Sequence, residues 1–337
     1  MGTFIIAEIG VNHNGSCELL KKLIQQASYC GADACKFQTF QAAKLASVST
    51  PKARYQKLTS GGDESHFDML KKLEMDHEMH VMAKSECEAR NMEFISTPYD
   101  PVSVDYLKEL GVQKIKTASA DIVDHRIHKK IVENDLEPIV SLGMATYEEI
   151  FDMLEIYASS EKKPTLLHCV SNYPCSDESL NLNCIPNLRQ KYQHEIGFSD
   201  HSIGNDAAVA AVCLGAKIIE KHFTIDKSLE GPDHKASSTP EEFSDLITRI
   251  RRIETMLGDG KKVLQDEELS MHSISRKSAV ALRNIKSGEL ITEEALTMRR
   301  PGGGISGRRF FDLIDKTARY DIAAGERISW QKVHSND

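Results

Sequence analysis

The sequence predicts an α/β protein in which a (β/α)₈ TIM barrel is followed by a small β-rich domain. Eight short apolar, β-rich runs alternate with longer amphipathic segments over roughly the first 260 residues, and this alternation is typical of a parallel sheet with helical connections. Eight such units also match the usual barrel size of about 250 residues. No Gly-x-Gly-x-x-Gly follows the first run, which disfavours an open dinucleotide-binding sheet.

The predicted strands follow one another at similar intervals, with one exception. About fifty residues, including 51–56 and 61–63, separate the second strand from the third. Connections of that length are usually functional, although a plain surface insertion is the alternative. Segments 17–30 and 205–214 have the apolar spacing or alanine content of helices. The strands are predicted at residues 3–10, 34–39, 93–97, 114–119, 138–142, 165–170, 195–199 and 217–223.

The carboxy-terminal part differs in composition and pattern from the barrel. We divide the chain into a catalytic barrel at 1–260, a linker at 261–277 and a β-rich domain at 278–337. Within that domain, segments 284–292 and 321–329 are similar to each other. Each is predicted to form a strand, a glycine turn and a return strand, which gives the domain internal pseudo-symmetry.

Charge and cysteine usage exclude several classes of protein. The 337 residues include 42 Lys and Arg against 50 Asp and Glu, a net charge of -8, which is unlike a nucleic-acid binder. The last 67 residues are basic, with 12 Lys and Arg against 8 Asp and Glu. No apolar run approaches the roughly 18 residues of a membrane span. Eight scattered cysteines without a Cys-x-x-Cys pair indicate reduced thiols. We therefore expect a cytoplasmic protein with no nucleic-acid or membrane partner.

Polar side chains end every predicted strand. In a barrel of this type, the carboxyl ends of the strands converge on one site. Any one of these residues could be an ordinary loop or hydrogen-bonded core residue, but packing alone does not explain buried ammonium groups at a barrel end. The strand-end residues are Glu8, Lys36, Gln38, Thr97, Lys116, Ser119, Asp121, Ser141, His168, Ser171, Ser199, Asp200, His201, Glu220 and His222.

Two lysines on neighbouring strand ends, Lys36 and Lys116, predict a pocket for a small anion that carries phosphate and carboxylate groups. A lysine that forms a Schiff base is the alternative, because a second ammonium group nearby would lower its pKa. Five hydroxyl groups are predicted to lie around the two lysines. They belong to Thr97, Ser119, Ser141, Ser171 and Ser199.

Two histidines and two carboxylates are the other candidates for chemistry. His201 and His222 end the seventh and eighth strands, which are adjacent in a closed barrel, so both imidazoles could bind one divalent cation with an open coordination sphere. Such a metal would polarise a carbonyl group. Simple hydrogen bonding by the histidines is the alternative. Glu8 and Asp121 are best placed for proton transfer, or else for pairing with a lysine.

Six short motifs lie in or after the predicted strands, and one more lies in the carboxy-terminal part. The six motifs are IAEIGVNHNG at 6–15, KFQTF at 36–40, STPY at 96–99, GFSDHS at 197–202, EKHFT at 220–224 and GPDH at 231–234. Together they resemble the bacterial sialic acid synthase family, which includes legionaminate and pseudaminate synthases. The carboxy-terminal RPGGGIS at 300–306 is similar to the antifreeze-like (SAF) domain of that family, so the resemblance covers essentially the whole chain.

The resemblance implies a transferase that condenses phosphoenolpyruvate with an N-acyl hexosamine. The product would be a nine-carbon 2-keto sugar acid, and phosphate would leave by C–O cleavage. N-acetylmannosamine is the expected acceptor, which makes the protein an N-acetylneuraminate synthase. The alternatives are a legionaminate or pseudaminate synthase that uses a 2,4-diacetamido-6-deoxyhexose, a more distant keto-deoxy-octulosonate-type synthase, and a catalytically silent sugar-acid binding protein.

The resemblance also implies roles for individual residues. Mn²⁺, or else Mg²⁺ or Co²⁺, would bind His201 and His222, while the two lysines and the hydroxyls would hold phosphoenolpyruvate. The family dimers are domain-swapped, so Arg300 of one subunit would reach the sugar in the other's barrel. Asp121 stands where the family usually has Glu, which puts its role in proton transfer in doubt. Further sugar-binding positions match Gln38, Tyr173 and Asp233.

Overall fold

A computed structural model describes residues 2–47, 50–52 and 65–334. Within these residues, eight parallel strands close into a barrel in chain order, as predicted. The predicted and observed strand ends agree to within two residues for all eight strands. The strands are β1 (Phe4–Gly10), β2 (Ala34–Thr39), β3 (Glu93–Pro98), β4 (Lys114–Thr117), β5 (Glu137–Ser141), β6 (Thr165–His168), β7 (Ile196–Asp200) and β8 (Ile218–His222).

Helices connect the strands. The helix predicted at 17–30 has those bounds, and the Ser16 side chain caps it by accepting a hydrogen bond from the Leu19 amide at 3.2 Å. Residues 53–56 and 61–63 of the long connection lie outside the described residues. The helices of this part are α1 (Cys17–Cys30), α2 (Ala42–Leu45), α3 (His66–Lys72), α4 (His77–Glu88), α5 (Pro101–Glu109), α6 (His125–Glu133), α7 (Tyr147–Ile156), α8 (Asp177–Leu180), α9 (Cys184–Tyr192), α10 (Asp206–Cys213) and α11 (Pro240–Leu257).

Apolar side chains from six strands pack together inside the barrel, separately from the larger core between strands and helices. We call this cluster the apolar plug; it consists of Ile6, Ala34, Ile95, Ile139, Leu167 and Ile218. On β7 the corresponding position is Gly197, where an added Cβ would lie 2.5 Å from Leu167 Cδ2 and 2.6 Å from the Ile218 carbonyl oxygen. The plug therefore fills the barrel without a contribution from β7.

A layer of polar side chains follows the plug. Side chains two positions apart along a strand share a face, so the residues two positions after the plug project into the same interior. We call them, together with Lys116 on β4, the polar layer. Its members are Glu8, Lys36, Thr97, Lys116, Ser141, Cys169, Ser199 and Glu220. All except Lys116 and Ser199 come two residues after a member of the apolar plug, so the alternation sets where the barrel interior changes from apolar to polar.

The chain divides into two compact units, Met1–Gly258 and Asp259–Asp337. The second unit contains helix α12 (Leu269–Ser275), an antiparallel pair of strands, β9 (Ser278–Ala281) and β10 (Leu296–Arg299), and its own apolar core. Among residues 2–47, 50–52 and 65–334, no helix combines the length and apolar composition needed to cross a bilayer.

The two similar segments of the second unit do not form the predicted hairpins of regular strands. They pair with each other instead, through an isolated antiparallel bridge between Ile285 and Ile322. Each of these residues donates its amide to the other's carbonyl, at 2.9 and 2.8 Å. Left-handed glycines, Gly288 and Gly325, follow three residues later, with φ of 84° and 82°. Because each segment turns only three residues after the bridge, the pairing at Ile285 and Ile322 does not extend into a regular strand pair. The two segments are nevertheless related by the predicted pseudo-symmetry.

Candidate active site

A cavity of about 380 Å³ lies at the carboxyl ends of the barrel strands. Most of the predicted site residues line it, so the structure brings together side chains that are far apart in the sequence. Those residues are Glu8, Lys36, Gln38, Thr97, Lys116, Ser119, Ser141, Ser171, Tyr173, Ser199, His201, His222 and Asp233.

Two lysines and two glutamates form a buried charge cluster at the base of the cavity. Lys36 Nζ lies 2.9 Å from a carboxylate oxygen of Glu8, and it donates a hydrogen bond to Thr97 Oγ1 at 3.1 Å. Glu220 lies between the lysines, with its two oxygens 3.9 Å from Lys36 Nζ and 3.7 Å from Lys116 Nζ. All four charged side chains are at most 5% exposed. Their mutual pairing compensates for the loss of hydration.

Burial and pairing move the pKa values of the two glutamates in opposite directions. Burial raises the pKa of Glu8 to about 7 against the opposing charge of Lys36, and the charge of Glu220 adds to the rise. Burial alone would also raise the pKa of Glu220, but the charges of Lys116 and Lys36 outweigh it and lower this pKa to about 2. Glu220 is therefore ionised at neutral pH, whereas Glu8 exchanges a proton readily there.

The pKa values of the two lysines are also shifted in opposite directions. Burial lowers the pKa of Lys116, whereas for Lys36 the charges of Glu220 and Glu8 outweigh burial and raise the pKa. The Lys116 ammonium also donates to the Thr117 carbonyl oxygen at 3.1 Å and contacts the Ser141 hydroxyl closely. Both ammonium groups thus have partners within the polar layer, and both lysines line the cavity.

Two hydroxyl groups, from the ends of β4 and β6, and the Cys169 thiol surround Gly143. Its amide donates to Ser119 Oγ at 3.1 Å, and the same hydroxyl lies 3.2 Å from Cys169 Sγ. A Cβ added at Gly143 would lie 2.3 Å from Ser171 Oγ and 2.7 Å from Ser119 Oγ. Only a glycine at this position lets these hydroxyls come together in the cavity.

The imidazoles of His201 and His222 lie side by side, with ring centroids 5.8 Å apart, and Tyr173 packs against both. His201 Nδ1 is 2.7 Å from the Val170 carbonyl oxygen, so this nitrogen carries the proton and Nε2 keeps its lone pair. Nδ1 of His222 lies 4.0 Å from a carboxylate oxygen of Asp233. Burial lowers the pKa of both histidines, that of His222 to about 3 with a contribution from His201.

The two remaining predicted site residues are Asp121 and Arg300. Asp121 is not among the residues that line the cavity, although Ser119, at the start of the same 3₁₀ helix (Ser119–Val123), does line it. Burial raises the pKa of Asp121 to about 6, and the charge of Asp124 adds to the rise. Arg300 belongs to the second unit and is exposed there.

Two other polar strand-end residues, Asp200 and His168, bind groups of the protein outside the cavity lining. Asp200 is buried in an ion pair with Lys221, with Nζ and Oδ2 2.6 Å apart, and His168 Nε2 bonds to the Leu180 carbonyl oxygen at 2.7 Å. Neither lines the cavity. Glu220, by contrast, has a place in the charge cluster although the sequence suggested no particular role for it. Its position two residues before His222 could have indicated that it faces the site, because side chains two positions apart lie on the same face of β8.

Comparisons with known proteins agree on one family. Residues 23–262 match the model of the NeuB family, and residues 276–334 match the SAF domain. The chain is 42% identical to the N,N'-diacetyllegionaminic acid synthase of Campylobacter jejuni subsp. jejuni serotype O:2 over 97% of this chain and 98% of that protein. It is 38% identical to the N,N'-diacetyllegionaminic acid synthase of Legionella pneumophila subsp. pneumophila, over 99% and 96% of the two chains.

A solved structure gives the same result. The N-acetylneuraminic acid (sialic acid) synthetase of Leptospira borgpetersenii serovar Hardjo-bovis, crystallised with citrate, superposes with a TM-score of 0.72 and is 34% identical. The alignment covers 80% of this chain and 90% of that one. With a family match over most of the chain and relatives of this identity over nearly its full length, the chain belongs to the NeuB family.

Proposed function

We propose that this protein condenses phosphoenolpyruvate with a 2,4-diacetamido-6-deoxyhexose and so makes an N,N'-diacetyllegionaminate-type sugar acid. The observation that carries the proposal is the pair of buried ammonium groups, Lys36 and Lys116, at the base of the barrel cavity. The choice of acceptor rests on the relatives, since two legionaminic acid synthases are 42% and 38% identical, whereas the sialic acid synthetase structure is 34% identical. These identities favour the legionaminate alternative over an N-acetylneuraminate synthase.

Phosphoenolpyruvate would bind over the charge cluster. Its phosphate and carboxylate groups need cationic donors, which Lys36 and Lys116 provide, and neutral hydroxyl donors. Ser141, Thr97 and Ser199 lie beside the two ammonium groups or beside Glu220, and Ser119 and Ser171 lie around Gly143. The lysines would exchange part of their pairing with Glu8 and Glu220 for pairing with the substrate.

The reaction that fits these groups forms one carbon–carbon bond and breaks one carbon–oxygen bond. Carbon 3 of phosphoenolpyruvate attacks the aldehyde carbon of the open-chain sugar, and the aldehyde oxygen takes up a proton. Water then adds to carbon 2 and loses a proton, and the tetrahedral intermediate expels phosphate with cleavage of the bond between carbon 2 and oxygen. Glu8, with a pKa of about 7, is suited to accept the proton of that water and to return it.

The imidazole pair fits a divalent cation, for which we propose Mn²⁺, with Mg²⁺ and Co²⁺ as alternatives. His201 holds its Nδ1 proton against a backbone carbonyl and so keeps the Nε2 lone pair available, an arrangement common among metal-binding histidines. The Nδ1 atom of His222 is buried without a hydrogen-bond partner among the described residues. A cation bound here would act as a Lewis acid on the aldehyde oxygen. Asp233, Gln38 and Tyr173 would contact the sugar.

We further propose a domain-swapped homodimer in which Arg300 completes the sugar site of the other subunit. An exposed arginine next to Pro301 in the basic second unit has the charge and the bidentate donors that recognition of an acyl oxygen requires. The surrounding chain has an excess of positive charge, whereas the barrel is acidic.

The proposal is tested by measuring phosphate release with phosphoenolpyruvate, Mn²⁺ and each acceptor sugar. We expect the diacetamido sugar to give the highest kcat/KM and excess EDTA to abolish turnover, with Mn²⁺ restoring it. Lys116→Met should lower kcat/KM for phosphoenolpyruvate by about 100-fold or more, because a buried cation that pairs with the substrate is lost. The matched control is Lys114→Met, two residues earlier on the same strand, where the ammonium lies over the Phe4 ring and pairs with Glu93.

Three results would count against the proposal. If Lys116→Met kept the same kcat/KM for phosphoenolpyruvate as an active Lys114→Met control, Lys116 would be excluded from the site. Full turnover in EDTA would remove the metal from the mechanism. If no acceptor supports phosphate release by the wild-type protein, the alternative of a catalytically silent sugar-acid binding protein would replace the proposed synthase.

A further inference from the structure

The cavity has an apolar part besides the charge cluster and the imidazoles. Several apolar side chains line it, and we call five of them the apolar wall: Val11, Leu45, Met69, Leu70 and Leu73. Four of them belong to a separate apolar cluster of buried residues, and Leu45 packs against it. Exposed fractions of 4–8% for Val11, Met69, Leu70 and Leu73 show that the wall is well packed from behind.

The wall is built by the turn after β1 and by the long connection between β2 and β3. Leu45 ends the short helix α2, and Met69 and Leu70 belong to α3, whose first turn is capped by Ser65 accepting from the Asp68 amide at 3.0 Å. The imidazoles stand at the ends of β7 and β8 instead. Both sets of side chains line one cavity, so an extended acceptor with its aldehyde at the imidazoles would contact the wall with carbons distant from the reacting one.

A polar side chain of the same connection also lines the cavity. It is His66, whose Nδ1 atom is buried without a hydrogen-bond partner among the described residues. An acetamido group fits this combination, since its N–H or carbonyl can bond to the imidazole while its methyl group packs on leucine and methionine. A hydroxymethyl group packed against the leucine and methionine side chains fits less well, because its hydroxyl would lose water and those side chains offer it no hydrogen bond.

We propose that the apolar wall is the specificity determinant of the cavity, and that it selects acceptor sugars with a 6-deoxy carbon and a second acetamido group over fully hydroxylated hexosamines. This inference rests on the proposed function for the position of the reacting aldehyde. Discrimination by one methyl or hydroxyl group in an apolar pocket is about 10- to 200-fold. The wall then accounts for preference among sugars, whereas the charge cluster accounts for the use of phosphoenolpyruvate.

The test uses Leu45, the wall residue that is only partly buried, so that the fold is preserved. Binding of 2,4-diacetamido-2,4,6-trideoxymannose and of N-acetylmannosamine is measured by calorimetry on the full chain in the presence of Mn²⁺, and kcat/KM is measured for both sugars. We expect the wild-type protein to prefer the trideoxy sugar by about 10- to 200-fold, and Leu45→Asn to reduce that ratio by about tenfold. The matched variant Leu45→Met keeps an apolar side chain of similar volume and should leave the ratio within about threefold of the wild-type value.

His66→Leu provides a second measurement. It should weaken binding of the trideoxy sugar by about tenfold and leave that of N-acetylmannosamine nearly unchanged, since only the former has a second acetamido group for the imidazole. Circular dichroism checks that each variant is folded.

The outcomes separate the inference from the proposed function. An unchanged sugar ratio in folded Leu45→Asn, similar affinity of the wild-type protein for both sugars, or no binding of either sugar would overturn the role of the wall. A binding preference that Leu45→Asn reduces would support that role even without phosphate release, and in that case the proposed reaction alone would fail.

Discussion

At the scale of single residues, Asp121 has a carboxylate oxygen that is buried without a hydrogen-bond partner among the described residues. Burial raises its pKa from 3.8 to about 6. Between these values the folded protein keeps a proton that the unfolded chain has lost, so the free energy of unfolding falls as the pH rises from about 4 to 6 and stays lower above 6. A carboxylate in this position costs stability at neutral pH.

Asp121→Asn should therefore increase the free energy of unfolding by roughly 1–3 kcal/mol at pH 8 and change it little at pH 4. Urea unfolding at both pH values measures the difference, with Asp152→Asn on the exposed face of α7 as the control. A loss of stability at pH 8 would show that the Asp121 carboxylate has a stabilising partner. A loss of activity at constant stability would instead support the proton-transfer role that the family resemblance implies.

At the scale of secondary-structure elements, the alternation of side chains along each strand made most of the site predictable. Lys36 and Ser141 lie on the interior face because Ala34 and Ile139, two residues earlier, belong to the plug. This alternation of side chains stops at the end of the strand, however, and β4 ends at Thr117 rather than at residue 119. Asp121 lies beyond that point, in a 3₁₀ helix with its amide bonded to the carbonyl of Ala118 at 3.1 Å, and it does not line the cavity as Ser119 does; its role in proton transfer stays a prediction.

The turn after β1 holds the loop that follows β8. The side-chain nitrogen of Asn12, Nδ2, donates to the Phe223 carbonyl oxygen and to Ser237 Oγ, both at 2.9 Å. Ser237 Oγ in turn donates to the Asp233 carbonyl oxygen at 2.7 Å. Asn12 and Ser237 are at most 1% exposed. This chain of hydrogen bonds fixes the backbone of Asp233, which lines the cavity beside His222.

Ser237→Ala should accordingly raise KM for the sugar several-fold while leaving KM for phosphoenolpyruvate nearly unchanged, because Asp233 lies beside His222 and is proposed to contact the sugar. The free energy of unfolding should fall by about 1–3 kcal/mol, since a buried donor and acceptor lose their partner. Steady-state kinetics and urea unfolding measure the two effects. The control, Ser287→Ala, removes an exposed hydrogen bond to the Arg319 carbonyl oxygen and should change neither. Equal increases in both KM values would indicate a general loosening of the barrel.

At the scale of the whole molecule, the sequence predicted the barrel, the change of composition after it and the pseudo-symmetry of the second unit. It did not predict which strands pair in that unit, because short segments around a glycine turn can pair with themselves or with each other at similar cost. The charge cluster was predictable only in part for a related reason. The alternation shows which side chains face the interior, but the position of Glu220 between two lysines depends on closure of the barrel across β2, β4 and β8.

The apolar plug and the polar layer depend on each other. The plug comes directly before the charged groups along the strands, and Ile95 is fully buried two residues before Thr97, which accepts the hydrogen bond of Lys36. Ile95→Ala should lower the free energy of unfolding by about 2–5 kcal/mol, through lost burial and the cavity it leaves. It should also raise KM for phosphoenolpyruvate, because Thr97 and Lys36 lose the packing that holds β3 in place.

Denaturant unfolding and steady-state kinetics below the unfolding transition measure both effects, with Val102→Ala as the control. Val102 is 60% exposed on α5, where the same kind of truncation should cost less than about 0.5 kcal/mol. If Ile95→Ala destabilises the protein but leaves KM for phosphoenolpyruvate unchanged, the plug serves only the stability of the barrel. A rise in KM together with the loss of stability would mean that the apolar interior positions the lysines, since the substitution removes no atom that could touch the substrate.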